Sequence, residues 1–375
     1  MINYIASFLI LSYVFLISKA YYLKCNKEQK IVLFFLFLVL FTAMGLAYRD
    51  VIIDANVFYS TAQTAHSWFS AFGLGSQFMA FLIYPLVTIG MSKFVLYFLF
   101  SVISFQAFLW YFQQMGDVFS ISPKVIGVPI PQLFFLLPSL HYWSGFVGKD
   151  ALVFFFLTYL FFEVKNKKSF NVLHFVVLIV FLLLRPHVFA MTFIAFFIYF
   201  GFQKKTPPVV KIKIVLLSLL ILCVFIPIIM LFLKIDSLSY AVLVELWDNL
   251  NIYSKNVSNG ISLTESSFLD RIGLLMFSPL FYDTTTFYQY VISIENSLVL
   301  LFLLIVGFYL YVKRKNIFVT DDVKLALLIG FCIMFMIALY IYNLGLASRM
   351  RLMFLPLFFY AIHQLVFSIY KKKDN

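Results

Sequence analysis

Five polar interruptions in an otherwise apolar chain hold the residues that could do chemistry. The first is Leu184-Arg185-Pro186-His187, set between two apolar runs, with Pro186 suited to the first turn of a returning helix. Open backbone amides, a guanidinium and an imidazole at such a turn can hold a phosphate, because arginine presents a bidentate fork to phosphate oxygens. The same residues also fit a snorkelling arginine and a histidine at a helix end. The second is His141-Tyr142-Trp143-Ser144-Gly145-Phe146-Val147-Gly148-Lys149-Asp150, which follows Pro129, Pro131 and Pro138. Two glycines permit a broken backbone that lines a cavity, where membrane proteins bind polar ligands. An aromatic belt with a Lys149 and Asp150 pair is the plainer alternative. GKD is not a nucleotide-binding loop, since the upstream glycine spacing is wrong.

Arg349 and Arg351 form the third group. On one helix they point about 200° apart, so only one faces a given cavity unless the backbone is extended there. Phosphates of the bilayer would serve them as well as a ligand. Arg49, Asp50 and Asp54 open the fourth, followed by Tyr59, His66 and Trp68. Carboxylates beside aromatic rings suit sugar hydroxyls and the apolar sugar face, although a chain that is 21% aromatic places rings near any interface. The fifth is Glu295-Asn296 at the start of an apolar run. A carboxylate at membrane depth is a candidate general base, and equally a helix-start acid favoured by the dipole.

The elements that must position these groups follow from composition. Of 375 residues 63% are hydrophobic and 12% charged, with a mean hydropathy of +1.00, which excludes a soluble globular domain. The expected class is all-α, a polytopic integral membrane protein. Apolar runs fall roughly at 2–18, 31–47, 77–91, 94–113, 126–140, 150–164, 170–184, 187–202, 212–233, 294–312, 323–342 and 352–370. Lysines crowd 24–30, 165–168, 204–213, 313–315 and the tail, which places those segments in the cytoplasm. Counting crossings from these anchors requires one run between Trp110 and Lys165 not to cross. The proline-rich run 126–140 is the expected exception, a re-entrant half-helix. About eleven spans result, with the N-terminus outside and the C-terminus cytoplasmic.

Five of the six arginines then lie on the outer side, against the positive-inside rule, which marks that side as functional. A single transmembrane domain over 1–375 is expected, with outer loops at about 48–76 and about 234–293. Within the second, Ser267 to Phe281 has helical apolar spacing with Asp270 and Arg271 on another side, as in a helix lying in the interface. Cys25, Cys223 and Cys332 have no metal or disulfide spacing, and a cleaved signal peptide is not expected, because no basic segment precedes the first run. The net charge of +12 is read as a topology device rather than a nucleic-acid footprint.

Taken together, Arg49…Asp54…Tyr59, Pro138-Ser139…His141-Tyr142-Trp143…Gly148-Lys149-Asp150, Arg185-Pro186-His187, Pro279…Glu295-Asn296 and Arg349…Arg351 resemble the Wzy-type polymerases of bacterial O-antigen and capsule, related to the EpsG family. The resemblance spans most of the chain. It implies a multi-span (GT-C-like) inverting glycosyltransferase in the bacterial inner membrane, acting at the periplasmic face on undecaprenyl-diphosphate-linked oligosaccharides. It also implies no metal or other cofactor and no nucleic-acid partner, with membrane lipid, a flippase and a chain-length regulator as possible associates. In such a mechanism a base takes the acceptor hydroxyl proton while lipid diphosphate leaves. The resemblance places Arg185, Arg349 and Arg351 on the diphosphate, with Lys149 and Arg49 as second choices. Candidate bases are His187, Asp150, His141 and Glu295, in that order, and sugar contacts are Asp54, Tyr59 and Trp143. A polysaccharide flippase or other transporter, a membrane acyltransferase and a purely structural role are the alternatives.

Overall fold

The computed structural model describes residues 1–50, 52–115, 124–125, 128–129, 134–202, 235–237, 239–256, 260–262, 265–284 and 286–371, with scattered positions between 207 and 231. Most of the expected span at 212–233 and of 126–133 lies outside them. Helices dominate, and a two-residue antiparallel pair, β1 (Lys124–Val125) with β2 (Val128–Pro129), is the one ladder among the described residues. Among the described residues five helices are long and apolar enough to cross a membrane, and up to seven if each of two bent pairs counts as one span. By contact the chain divides into two compact units, Met1–Arg185 and Pro186–Asn375.

In the first unit α1 (Ile2–Tyr22) and α2 (Lys27–Arg49) form a hairpin. Its turn is set by Asn26, whose side chain accepts from the Gln29 amide while the Gln29 side chain accepts from the Asn26 amide. Then come α3 (Ile53–Thr64), α4 (Ser76–Thr88), α5 (Lys93–Gln114), α6 (Pro138–Ser144), α7 (Lys149–Lys165) and α8 (Val172–Leu184). Helix α5 is central: 72% of its most apolar window is buried, against 22% for α1. Lipid tails are as apolar as these side chains, so close packing rather than transfer from water must hold the helices together. Phe108 and Tyr111 of α5 supply it against Phe154 and Phe162 of α7, with ring centroids 4.7 and 5.1 Å apart. The hydroxyls of Ser101 and Ser104 donate to carbonyls of their own helix, which removes the cost of burying them.

Helix α4 and the bent pair α6–α7 are short or broken apolar elements of this unit. Helix α4, the run at 77–91, has only 13 residues, about 20 Å of helix, and both its ends are tied to neighbouring elements. At its start the Gly75 amide donates to the Leu183 carbonyl (2.8 Å) at the end of α8, and Lys149 donates to Ser76 (3.2 Å). At its end the Tyr59 hydroxyl donates to the Met91 carbonyl (3.2 Å), and the Ser92 amide to the Asn3 side chain (2.7 Å) at the start of α1. The starts of α1 and α5 and the end of α2 lie together, since the Ser92 amide meets Asn3 and Lys93 lies 5.8 Å over the Tyr48 ring. Residues 134–145 run back along α5. Phe135 lies against Tyr111 (5.3 Å), and the Gly145 carbonyl accepts from Ser101 (3.0 Å), ten residues and about 15 Å nearer the start of α5. The chain then breaks by 108° between α6 and α7.

The second unit holds α9 (Pro186–Phe202), α10 (Tyr240–Asn256), α11 (Phe268–Phe277), α12 (Phe287–Val312), α13 (Asp321–Tyr340), α14 (Leu344–Met350) and α15 (Leu355–Lys371). Pro186 opens α9, and α9 and α15 both pack on α13. Gly330 of α13 permits a close approach, because a Cβ there would sit 2.5 Å from the Phe358 ring of α15. The helix expected from Ser267 is α11, capped reciprocally by Ser267 and Asp270. Those hydrogen bonds hold the exposed Asp270 carboxyl below the usual carboxylate range. Helix α12 starts at Phe287, so Glu295 and Asn296 lie in its third turn rather than at its start, and the helix dipole has no part in placing a carboxylate so far from the first turn. Arg349 ends α14 and Arg351 begins a 3₁₀ turn, with the bend of 50° to α15 just beyond.

Candidate functional site

One end of the first unit gathers polar groups from five elements. Asp150, in the first turn of α7, is fully buried and accepts from Nη2 of Arg185, which caps the end of α8 and is 4% exposed. The break before α7 makes the pair possible, because it delivers a carboxylate to a helix start, where the dipole favours it. A buried ion pair is worth little relative to an apolar substitute, but removing one partner leaves an uncompensated charge. Such a pair therefore holds a guanidinium in one orientation. Beside it Lys149 reaches Ser76. The Tyr142 hydroxyl donates to Asp50 Oδ2 (3.1 Å), and Arg49 donates to Asp50 Oδ1 (2.9 Å) while remaining largely exposed.

Of the expected sugar contacts, Trp143 is half-buried with its ring at right angles to Tyr142 (89°), and Asp54 is half-buried in the first turn of α3. Tyr59 is spent on the Met91 carbonyl and fastens α3 to the end of α4. His141 lies inside the protein rather than at its surface. Its Nε2 donates to the Phe135 carbonyl (2.8 Å), its ring stacks on Phe108 (4.2 Å), and its buried Nδ1 has no hydrogen-bond partner among the described residues.

In the second unit Arg351 is 2% exposed and acts as a clasp. Nε donates to the Leu275 carbonyl (2.7 Å), Nη1 to Asn296 Oδ1 (2.5 Å), and Nη2 to the Ser278 carbonyl. Asn296 in turn donates to the Pro279 carbonyl (2.8 Å), which also accepts from Ser293 (3.2 Å). Carbonyls at and just past the end of α11 thus find donors, Leu275 and Ser278 from the turn after α14 and Pro279 from α12. Glu295 is buried within electrostatic reach of Arg351. Arg349 is half-buried at the end of α14, and His187 is half-buried in the first turn of α9, its ring edge-on to Tyr340 (5.8 Å).

Three of these contacts have no sequence signal. Asp50 meets Tyr142 across 92 positions, Arg351 meets Leu275 across 76, and Arg271, buried under Trp247 (5.3 Å), meets the Leu339 carbonyl across 68. Burial pushes the Arg271 guanidinium below the usual arginine range. Among the described residues no three His, Cys, Asp or Glu side chains form a metal-ligating group. No protein-family model, no curated protein and no solved structure matches the chain.

Proposed function

We propose that the chain is a polymerase that joins undecaprenyl-diphosphate-linked oligosaccharide repeat units into surface polysaccharide, by inverting glycosyl transfer at the periplasmic face of a bacterial inner membrane. The proposal includes about eleven spans, with α4 lying along the outer face and the segment ending in α6 counted as a crossing. The observation that carries it is the collection of Arg49, Tyr142, Lys149, Asp150 and Arg185 at one end of one unit around a broken helix.

Arg185, oriented by Asp150, takes the leaving diphosphate, with Lys149 and Arg49 as further cations. Asp150 is the base to test within this unit, and Trp143 with Asp54 the sugar contacts. His187, His141 and Glu295 remain bases to test separately. The three protein acceptors around Arg351 suit a positioning role, so Arg349 becomes the diphosphate contact of choice among the arginines of the second unit.

The deciding variant is Arg185→Lys, compared with the unaltered chain for polymer made in cells lacking the native copy. A point charge cannot reproduce the bidentate fork, so polymer length should collapse while membrane abundance holds. Full-length polymer from the lysine variant would remove the diphosphate assignment. A transporter is the second reading, favoured by the break between α6 and α7, since broken helices line transport sites. It predicts repeat units trapped on the inner leaflet instead of single units delivered outside.

A further inference from the structure

The hairpin α1–α2 carries a feature with no part in that reaction. A groove of about 550 Å³ runs between the two helices. Its walls are Leu11, Val14 and Phe15 of α1 and Leu33, Phe37 and Phe41 of α2, and it opens outward, with Leu11 and Phe15 about half and two-thirds exposed. At its other end the character changes. Ser18, 7% exposed, lines the groove, and its hydroxyl has no hydrogen-bond partner among the described residues. Beside it Lys19 and Tyr22 form the rim. An unmade hydrogen bond at an otherwise apolar wall costs free energy unless a ligand atom completes it.

We infer that this groove binds one anionic glycerophospholipid of the surrounding bilayer. From Leu11 to Leu23 the wall is about 18 Å long, against about 15 Å for the hydrocarbon of one leaflet, so an acyl chain laid along it brings its headgroup to Lys19. Charge selects the headgroup. Lys24, Lys27 and Lys30 lie on the adjoining turn and the start of α2, with Glu28 the single acid between them, and Lys30 is held over the Tyr22 ring at 4.4 Å. Basic pockets between spans take acidic lipid headgroups in this way. The ester or phosphate oxygens accept from Ser18 and Lys19, and the tail covers Phe37 and Phe41. The site stands independently of the proposed polymerase reaction.

The test uses the full chain in nanodiscs of phosphatidylcholine containing phosphatidylglycerol, extracted gently and weighed by native mass spectrometry for retained lipid. The unaltered protein should retain phosphatidylglycerol about tenfold over phosphatidylcholine, as expected from one to two lysine contacts. Lys19→Gln should remove that preference, Ser18→Leu should lower retention of both lipids by filling the groove, and Lys315→Gln, an exposed lysine on another element, should change nothing. Equal retention of the two lipids by the unaltered chain overturns the inference. So does a preference that survives Lys19→Gln, or a dimer formed through α1 and α2 that excludes lipid. If Lys19→Gln does not yield folded protein, competition by phosphatidylglycerol against a photoreactive phospholipid, with the cross-link mapped to 11–41, decides the same question.

Discussion

At the scale of single residues, the Asp150–Arg185 pair and the Arg351 clasp make different demands. The pair is closed off from solvent at both partners, so Asp150→Ala leaves a buried guanidinium uncompensated and should cost about 3–5 kcal/mol. The double variant Asp150→Leu with Arg185→Met should recover most of that stability in a detergent melt yet make no polymer. A double variant as unstable as Asp150→Ala would mean that the pair's geometry, not its charge balance, supports the fold. Arg351→Met should lower stability by about 3 kcal/mol or more, because it strands buried acceptors at the end of α11. Arg351→Lys should recover part of the loss, and polymer length should follow stability rather than charge. A stable, inactive Arg351→Lys protein would instead put this arginine on the substrate.

At the scale of elements, the proposed topology turns on which short helix does not cross. An apolar run of about fifteen residues has the composition of a short span or of a helix lying flat, and hydropathy does not separate them. The proposal that α4 lies flat rests on contacts made far along the chain, Gly75 with Leu183 and Ser92 with Asn3, which are invisible in composition. Local chemistry was legible by contrast. The Ser267…Asp270 spacing announces α11, and Pro186 announces the start of α9. In a chain freed of its native cysteines, Gln77→Cys and Ile89→Cys should react with an impermeant thiol reagent from the same side, and Asn166→Cys from the opposite side. Labelling of positions 77 and 89 from opposite sides would make α4 a crossing helix.

At the scale of the whole molecule, charge and hydropathy announce a helical chain with several helices of membrane-spanning length, and the polar interruptions hold Arg49, Tyr142, Lys149, Asp150 and Arg185. Their partners were not legible, because carbonyl acceptors carry no residue-type signal and lie some 70 positions away, as Leu275 and Ser278 do from Arg351. The division into two units was equally silent, since Arg185 and Pro186, on either side of it, are neighbours in one short polar motif. The central claim concerns what the chain makes, and deletion of its gene tests it most directly. Surface glycan would be resolved as a length ladder, with lipid-linked intermediates extracted in parallel. Collapse of the ladder to a single repeat unit, restored by the unaltered gene but not by Arg185→Lys, is the predicted result; an unchanged ladder, or complete loss of glycan with units held on the inner leaflet, would contradict it.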